Sequence, residues 1–321
     1  MAIVQILCND ILPLLFLVFM GYLLDSRFKL ELMTYRKVTI CVVLPCFIFY
    51  SMVQYHPSAA SLFLIPAGAV LLLGMAVISR AVSVLLHIDR TKRPVFEAAS
   101  TYTNAGNIGI ALIVFIYTHA PYLTEAGPSY LAEARGTIVL LLIVTNIAVN
   151  LFGACQIRTD QVSFRKFFSY MIRMPVLYAV LAGLAVQYTG IELEHTFIWP
   201  VFHHFSGAFI VLVTIITGVE LHRSQIRKPD LSILASSALR LLISPLLAIA
   251  VIALFGCFTP VEAQVFLIAF AAPPSFTVAM YASEYGKHPD FASQAVVAGS
   301  LLSIITMTCV IYAARVLYPA V

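Results

Sequence analysis

The chain has 321 residues, 61% of them hydrophobic and only 11% charged, with a mean hydropathy of +0.96. A soluble domain carries about 25% charged residues, so this composition excludes one and marks a polytopic membrane protein. The net charge of +4 makes no case for a nucleic-acid partner; the informative property is where the charges lie.

About 20 apolar residues cross the hydrocarbon core, which leaves room for about ten spans. In chain order they read as roughly 6–24, 38–55, 60–83, 94–118, 134–154, 172–190, 199–221, 231–255, 261–283 and 291–314. Span 1 opens without Lys or Arg, unlike a cleavable signal peptide. It carries Asn9 and Asp10 near one end, where interfacial or capping roles are expected. Arg27, Lys29, Arg36 and Lys37 follow it, and Arg80, Arg90, Lys92 and Arg93 surround the end of span 3. Arg158, Arg165, Lys166 and Arg173 follow span 5, Arg223, Arg227 and Lys228 follow span 7, and Lys287 follows span 9. Sixteen of the nineteen Lys and Arg residues thus share one side, leaving Arg135 and Arg315 opposite and Arg240 inside span 8. Basic loops stay cytoplasmic, so both termini are expected on the outer side.

Span 4 begins with Glu97 near its cytoplasmic end. That residue reads either as a proton-coupling carboxylate or as a structural partner of Arg240 or of a loop cation. The span is interrupted at Thr103-Asn104-Ala105-Gly106-Asn107-Ile108-Gly109. After span 5, residues 161–173 put Phe164, Phe167, Phe168, Met171 and Ile172 on one helical face and Arg165 and Lys166 on another. The segment is an interfacial amphipathic helix or the start of span 6. Span 7 opens at Trp199, holds His203 and His204, expected inside the protein, and ends near Glu220, expected as a cap or interfacial group. Arg240 lies about 15 Å into span 8 at 1.5 Å per residue. It reads as a second anchor for a dianion or as a structural group bonded to carbonyls or an acid. Span 9 is interrupted at Ala271-Ala272-Pro273-Pro274-Ser275. The six cysteines are scattered with no C-x-x-C spacing, which indicates neither a disulfide framework nor a metal site.

Five spans in each half force the second half to sit upside down relative to the first. Aligning Val95-Phe96 with Val265-Phe266 lays Asn104 over Pro274 and Asn107 over Thr277. The two interruptions are therefore equivalent in an inverted repeat. Unwound backbone at membrane depth is tolerated only where protein buries it or where it lines a cavity. A matched pair of broken helices is the sequence pattern of a secondary transporter's substrate site; mere kinks are the alternative. Asn107 and Ser275 are expected as N-caps of the second halves, which would aim two helix N-termini, each with roughly half a positive charge, at the membrane centre. Neither interruption contains Asp, Glu, Lys or His, so the substrate is expected to bring the negative charge. Thr103, Asn104, Gly106, Asn107, Pro273, Pro274, Ser275 and Thr277 form the expected binding set.

Leu44-Pro45-Cys46-Phe47-Ile48-Phe49, the Asn-Ala-Gly-Asn-Ile-Gly stretch, and Ala272-Pro273-Pro274-Ser275 followed by Tyr285-Gly286 resemble the auxin efflux carrier family. The resemblance runs over nearly the whole chain, and the family is similar in architecture to bile acid–sodium symporters. It implies an all-α integral membrane protein of ten transmembrane helices in two inverted five-helix repeats, with crossover helices 4 and 9 broken. Residues 1–56 and 156–222 would form a scaffold, and 57–155 and 223–321 a transport part moving like an elevator. Carried over, Asn104 is the carboxylate ligand and Pro273 or Pro274 the crossover proline. The short linker resembles the compact bacterial members, which implies an inner (plasma) membrane location, a homodimer, and substrates such as malate or auxin-like acids. Coupling to sodium, ligated near Thr103, Asn104 and Ser275, or to protons stays open. The rival expectations are a sodium-coupled symporter of larger amphipathic acids and a non-transporting membrane sensor. No nucleophile–base or metal constellation suggests an enzyme.

Overall fold

The structure, a computed structural model, describes residues 2–124, 127–128, 130–160, 163–224 and 230–320. It is all-α, apart from a two-residue hairpin ladder between Leu123–Thr124 and Gly127–Pro128. Among the described residues seven helices are long and apolar enough to cross a bilayer: α1 Ile3–Phe28, α2 Leu32–Gln54, α3 Ser61–Leu85, α6 Leu131–Arg158, α9 Trp199–Arg223, α10 Leu231–Phe255 and α13 Pro289–Leu317. An eighth is made by α7 Phe164–Arg173 and α8 Pro175–Thr189, which meet at a 58° bend. Pro175 opens α8 because its missing N–H and fixed φ suit a first helical turn. The bend separates the amphipathic segment from the span, and Phe168 and Ile172 of α7 are exposed. Gln161, Arg227 and Lys228 lie outside the described residues.

The two remaining segments of the ten-span reading are split. The first is α4 Arg93–Thr101 and α5 Ala105–Tyr117. The second is α11 Pro260–Ala271 and α12 Phe276–Glu284. Prolines and caps set most starts: Pro94, Pro260 and Pro289 occupy the first helical turn, and Thr259 forms a capping box with Glu262. Besides α6, with a wide π-type turn at Ala148–Gly153, three long helices contain such a turn, at Leu7–Ile11, Thr39–Val43 and Leu239–Ile243. Each is followed two residues later by a proline (Pro13, Pro45, Pro245) that cannot donate to the ladder.

Helices α1, α2, α8 and α9 pack on one another, while α3–α6 and α10–α13 make a second cluster. The α1–α9 contact is backbone to backbone. A Cβ on Gly218 would stand 2.0 Å from the Val18 carbonyl oxygen, and one on Gly21 2.3 Å from that of Ile215. Small residues permit such approach between apolar helices. His203 and His204, expected inside, are exposed on α9, with the His203 ring edge-on to Tyr50. Their helix has its buried face elsewhere, at Ser206, Phe209, Val213 and Thr217. Asp10 is buried and accepts from Arg315 at 3.0 Å, tying α1 to α13.

Candidate functional site

The two breaks meet. Residues 102–104 and 273–275 lie antiparallel, with Thr103 opposite Pro274. Asn104 N donates to the Pro273 carbonyl at 2.8 Å, and Ser275 N donates to the Tyr102 carbonyl at 3.0 Å. Thr103 Oγ1 donates to the carbonyls of Ala269 at 2.9 Å and Ala272 at 3.4 Å. Each unwound stretch thus satisfies polar backbone that the other has freed, which is the condition for irregular chain at membrane depth.

The first break is shorter than the sequence reading had it. Ala105–Gly109 is already helical, as a wide turn, so the N-cap position of α5 is Asn104 rather than Asn107. Glycines interrupted the pattern without interrupting the helix. In the second break Ser275 is the N-cap, its side chain accepting from Thr277 N, at the position expected from the sequence.

Arg240 is completely buried. Its Nη1 donates to the Thr101 carbonyl at 2.7 Å. Its Nη2 donates to the Phe270 carbonyl and to Ser244 Oγ, and Ser244 Oγ donates in turn to Phe270 O at 2.7 Å. Thr101 and Phe270 are at the C-terminal ends of α4 and α11, which each carry roughly half a negative charge. One guanidinium therefore balances two helix ends, and no carboxylate pairs with it among the described residues. Glu97 is elsewhere. It accepts from Arg80 at 3.0 Å, Ser83 at 2.9 Å and Gln156 at 3.2 Å.

On the far side of the crossing, the first turns of α5 and α12 border a polar cavity of about 180 Å³. Gly106 and Asn107 come from α5 and Thr277 from α12; Asn146 and Asn150 come from α6. Arg36 of α2 and Glu220 of α9 close it from the other helix cluster. Arg36 Nη2 donates to Glu220 Oε1, and Arg36 Nη1 approaches Met280 Sδ at 3.5 Å. Asn150 Nδ2 donates to the Asn146 carbonyl at 3.0 Å, and its Oδ1 accepts from Tyr281 OH at 3.0 Å. First-turn N–H groups have no intrahelical acceptor, so two positive helix ends and one guanidinium face a space large enough for a small anion with water.

Of the expected set, Gly106, Asn107 and Thr277 line this cavity. Thr103, Asn104, Pro273, Pro274 and Ser275 build the crossing behind it. Asn104 is only 3% exposed, and its Nδ2 has no partner among the described residues. Arg36, Asn146 and Asn150 were missed. Arg36 was counted with the loop cations, whereas α2 begins at Leu32, two turns before the expected start. Asn146 and Asn150 carried a signal: two amides four residues apart share one face of an otherwise apolar helix.

Buried crossing chains, bilayer-length apolar helices and a polar interior cavity define a multi-pass integral membrane protein. Residues 160–311 match the family model of membrane transport proteins, the domain of the auxin efflux carrier family. The match includes Glu220, Arg240 and the second break; the first break precedes it. A comparison with curated proteins returns no match. The matched family is one of membrane transporters.

Proposed function

We propose that the protein is a secondary transporter of small organic anions, carboxylates such as malate or auxin-like acids, bound in the cavity at the crossing. The supporting observation is the convergence of the α5 and α12 first turns on that cavity together with Arg36. Helix N-termini attract anions without a full cation, and Asn107 and Thr277 add hydrogen bonds at the same ends. Asn104 contributes a buried amide with an unused donor. Because Arg240 offsets the negative helix ends on the other side, the field in the cavity is left positive.

In this reading the broken pairs count as spans 4 and 9, giving ten spans in two inverted repeats. The offset of 170 that aligns Val95-Phe96 with Val265-Phe266 also aligns Thr101 with Ala271, the last residues of α4 and α11. Helices α3–α6 and α10–α13 carry the site past α1, α2, α8 and α9, an elevator-like movement that exposes it to either side. Basic loops face the cytoplasm of a plasma (bacterial inner) membrane, both termini face outward, and the scaffold helices pair in a homodimer. A cation can couple through Thr103, Asn104 and Ser275 if sodium, or through a carboxylate if a proton.

The test is uptake of labelled malate by proteoliposomes, with mono- and dicarboxylates as competitors. Saturable wild-type uptake that falls at least tenfold in Asn107→Ala and Asn104→Ala, both still folded, is expected. Uptake equal to wild type in both variants would remove the crossing as the site. No uptake of any acid by folded wild type would remove the transporter reading in favour of a ligand-binding sensor.

A further inference from the structure

Arg36 and Glu220 are the two ionisable residues on the cavity wall among the described residues. They are 184 positions apart in sequence and meet only through the fold. Their pairing is one-sided. The guanidinium gives Nη2 to Glu220 Oε1, while Nη1 meets a thioether, a weak acceptor. Glu220 Oε2 is buried and has no donor among the described residues. An arginine fork can hold two oxygens at once, so this one has capacity left and points it along the cavity wall.

The charged neighbours are otherwise committed. On α9 itself, His222 and Arg223 bind Asp25 of α1, at 2.8 Å and 2.7 Å. The walls contributed by α5, α6 and α12 carry Asn107, Asn146, Asn150, Thr277 and Met280, none of them ionisable. From α2 comes Arg36 alone. Among the described residues an anion in this cavity therefore has one side-chain cation to meet, and one carboxylate already holds it.

Resting on the transporter reading above, we infer that Arg36 is shared between Glu220 and the transported carboxylate, and that each anion entering the cavity brings a proton onto Glu220. The reason is charge. With the pair alone, the wall is neutral. Adding an anion to Arg36 while Glu220 stays ionised leaves two carboxylates on one guanidinium in a partly dry space, where like charges raise the proton affinity of one of them. A buried carboxylate that loses its counter-charge takes up a proton instead of remaining ionised. One proton passes from cavity water to a Glu220 carboxylate oxygen as one anion binds Arg36, and the net charge of the wall is again zero. Release of the anion returns Arg36 to Glu220 and the proton to water. Proton coupling then needs no acid at the crossing itself. A second carboxylate on the same substrate would lie toward the first turns of α5 and α12.

Two measurements test this. Purified wild type in weakly buffered detergent is mixed with malate and a pH-indicating dye; about one proton taken up per malate bound is expected, and none for Glu220→Gln. In proteoliposomes with the membrane potential clamped at zero, one coupled proton raises malate accumulation about tenfold per pH unit of gradient. Glu220→Gln, which keeps an oxygen for Arg36, should exchange malate but leave its accumulation unchanged by the gradient. Arg36→Gln should lose malate binding. Wild-type binding without proton uptake, or a Glu220→Gln protein that still concentrates malate with the gradient, would overturn the coupling and leave the transporter reading intact. Folded wild type carrying no malate or competitor would remove both.

Discussion

At the crossing, the C-terminal ends of α4 and α11 lie a few residues from the N-terminal ends of α5 and α12, yet the two kinds of end are finished differently. The carbonyls of Thr101 and Phe270 are taken by Arg240, with Ser244 closing the arrangement. The first turns of α5 and α12 instead border a cavity walled by Asn107, Thr277 and Arg36. One sign of the helix dipole is thus neutralised inside the protein and the other is left facing a space. A broken helix has both ends to satisfy, and giving the negative ends a buried cation leaves the positive ends facing the cavity.

That contrast predicts which substitutions act on folding and which on binding. The largest effect is expected at Arg240. Changing it to Met leaves the Thr101 carbonyl without its donor and Phe270 with only Ser244, which should cost about 3 kcal/mol, read as a large drop in the thermal midpoint in detergent. Arg240→Lys keeps the charge but cannot fork between two helix ends, so an intermediate loss is expected. Full wild-type stability in Arg240→Met would break the comparison at its negative end.

Next comes Gly299 of α13. A Cβ there would lie 2.5 Å from Pro274 Cδ, a ring atom that cannot swing away. Gly299→Ala should push the crossing apart, with an overpacking penalty of about 2 kcal/mol, and depress both stability and uptake. A stable, active variant would mean that the crossing tolerates displacement.

On the positive side the effects are smaller and of another kind. Asn107→Ala should leave the thermal midpoint near wild type while weakening anion binding about tenfold, the scale of one hydrogen bond to a charged group. Competition binding with malate measures it; loss of stability without loss of binding would reverse the assignment. Smallest is Ser275→Ala, which removes the α12 cap and should cost about 1 kcal/mol, whereas Ser275→Gly should cost only a few tenths. Equal losses in both would show that the cap hydrogen bond contributes little.

The elements were legible in proportion to how much local chemistry specifies them. Thr259 with Glu262, Pro94, Pro175, Pro289 and Ser275 announce helix starts by themselves, and structure and sequence agree there to within three residues. Gly106 and Gly109 misled, because glycine weakens a helix without forbidding it, and α5 begins at Ala105. His203 and His204 misled because a uniformly apolar helix has no periodic pattern to say which side faces its neighbours. Arg36 was placed in a loop since a basic residue at a span end looks the same whether it faces water or folds inward.

The sequence by itself determined that this is a multi-pass membrane protein and that two apolar segments are interrupted, since each follows from composition and from where Pro and Asn stand along the chain. Only the tertiary structure decided that the breaks pair through Thr103 and Pro274, that Arg240 binds Thr101 and Phe270, and that Arg36 meets Glu220 over a shared cavity. Those contacts join residues more than a hundred positions apart, apart from Phe270, which is 30 from Arg240. A buried charge must find whatever partner packing brings to it, and no local pattern names that partner in advance.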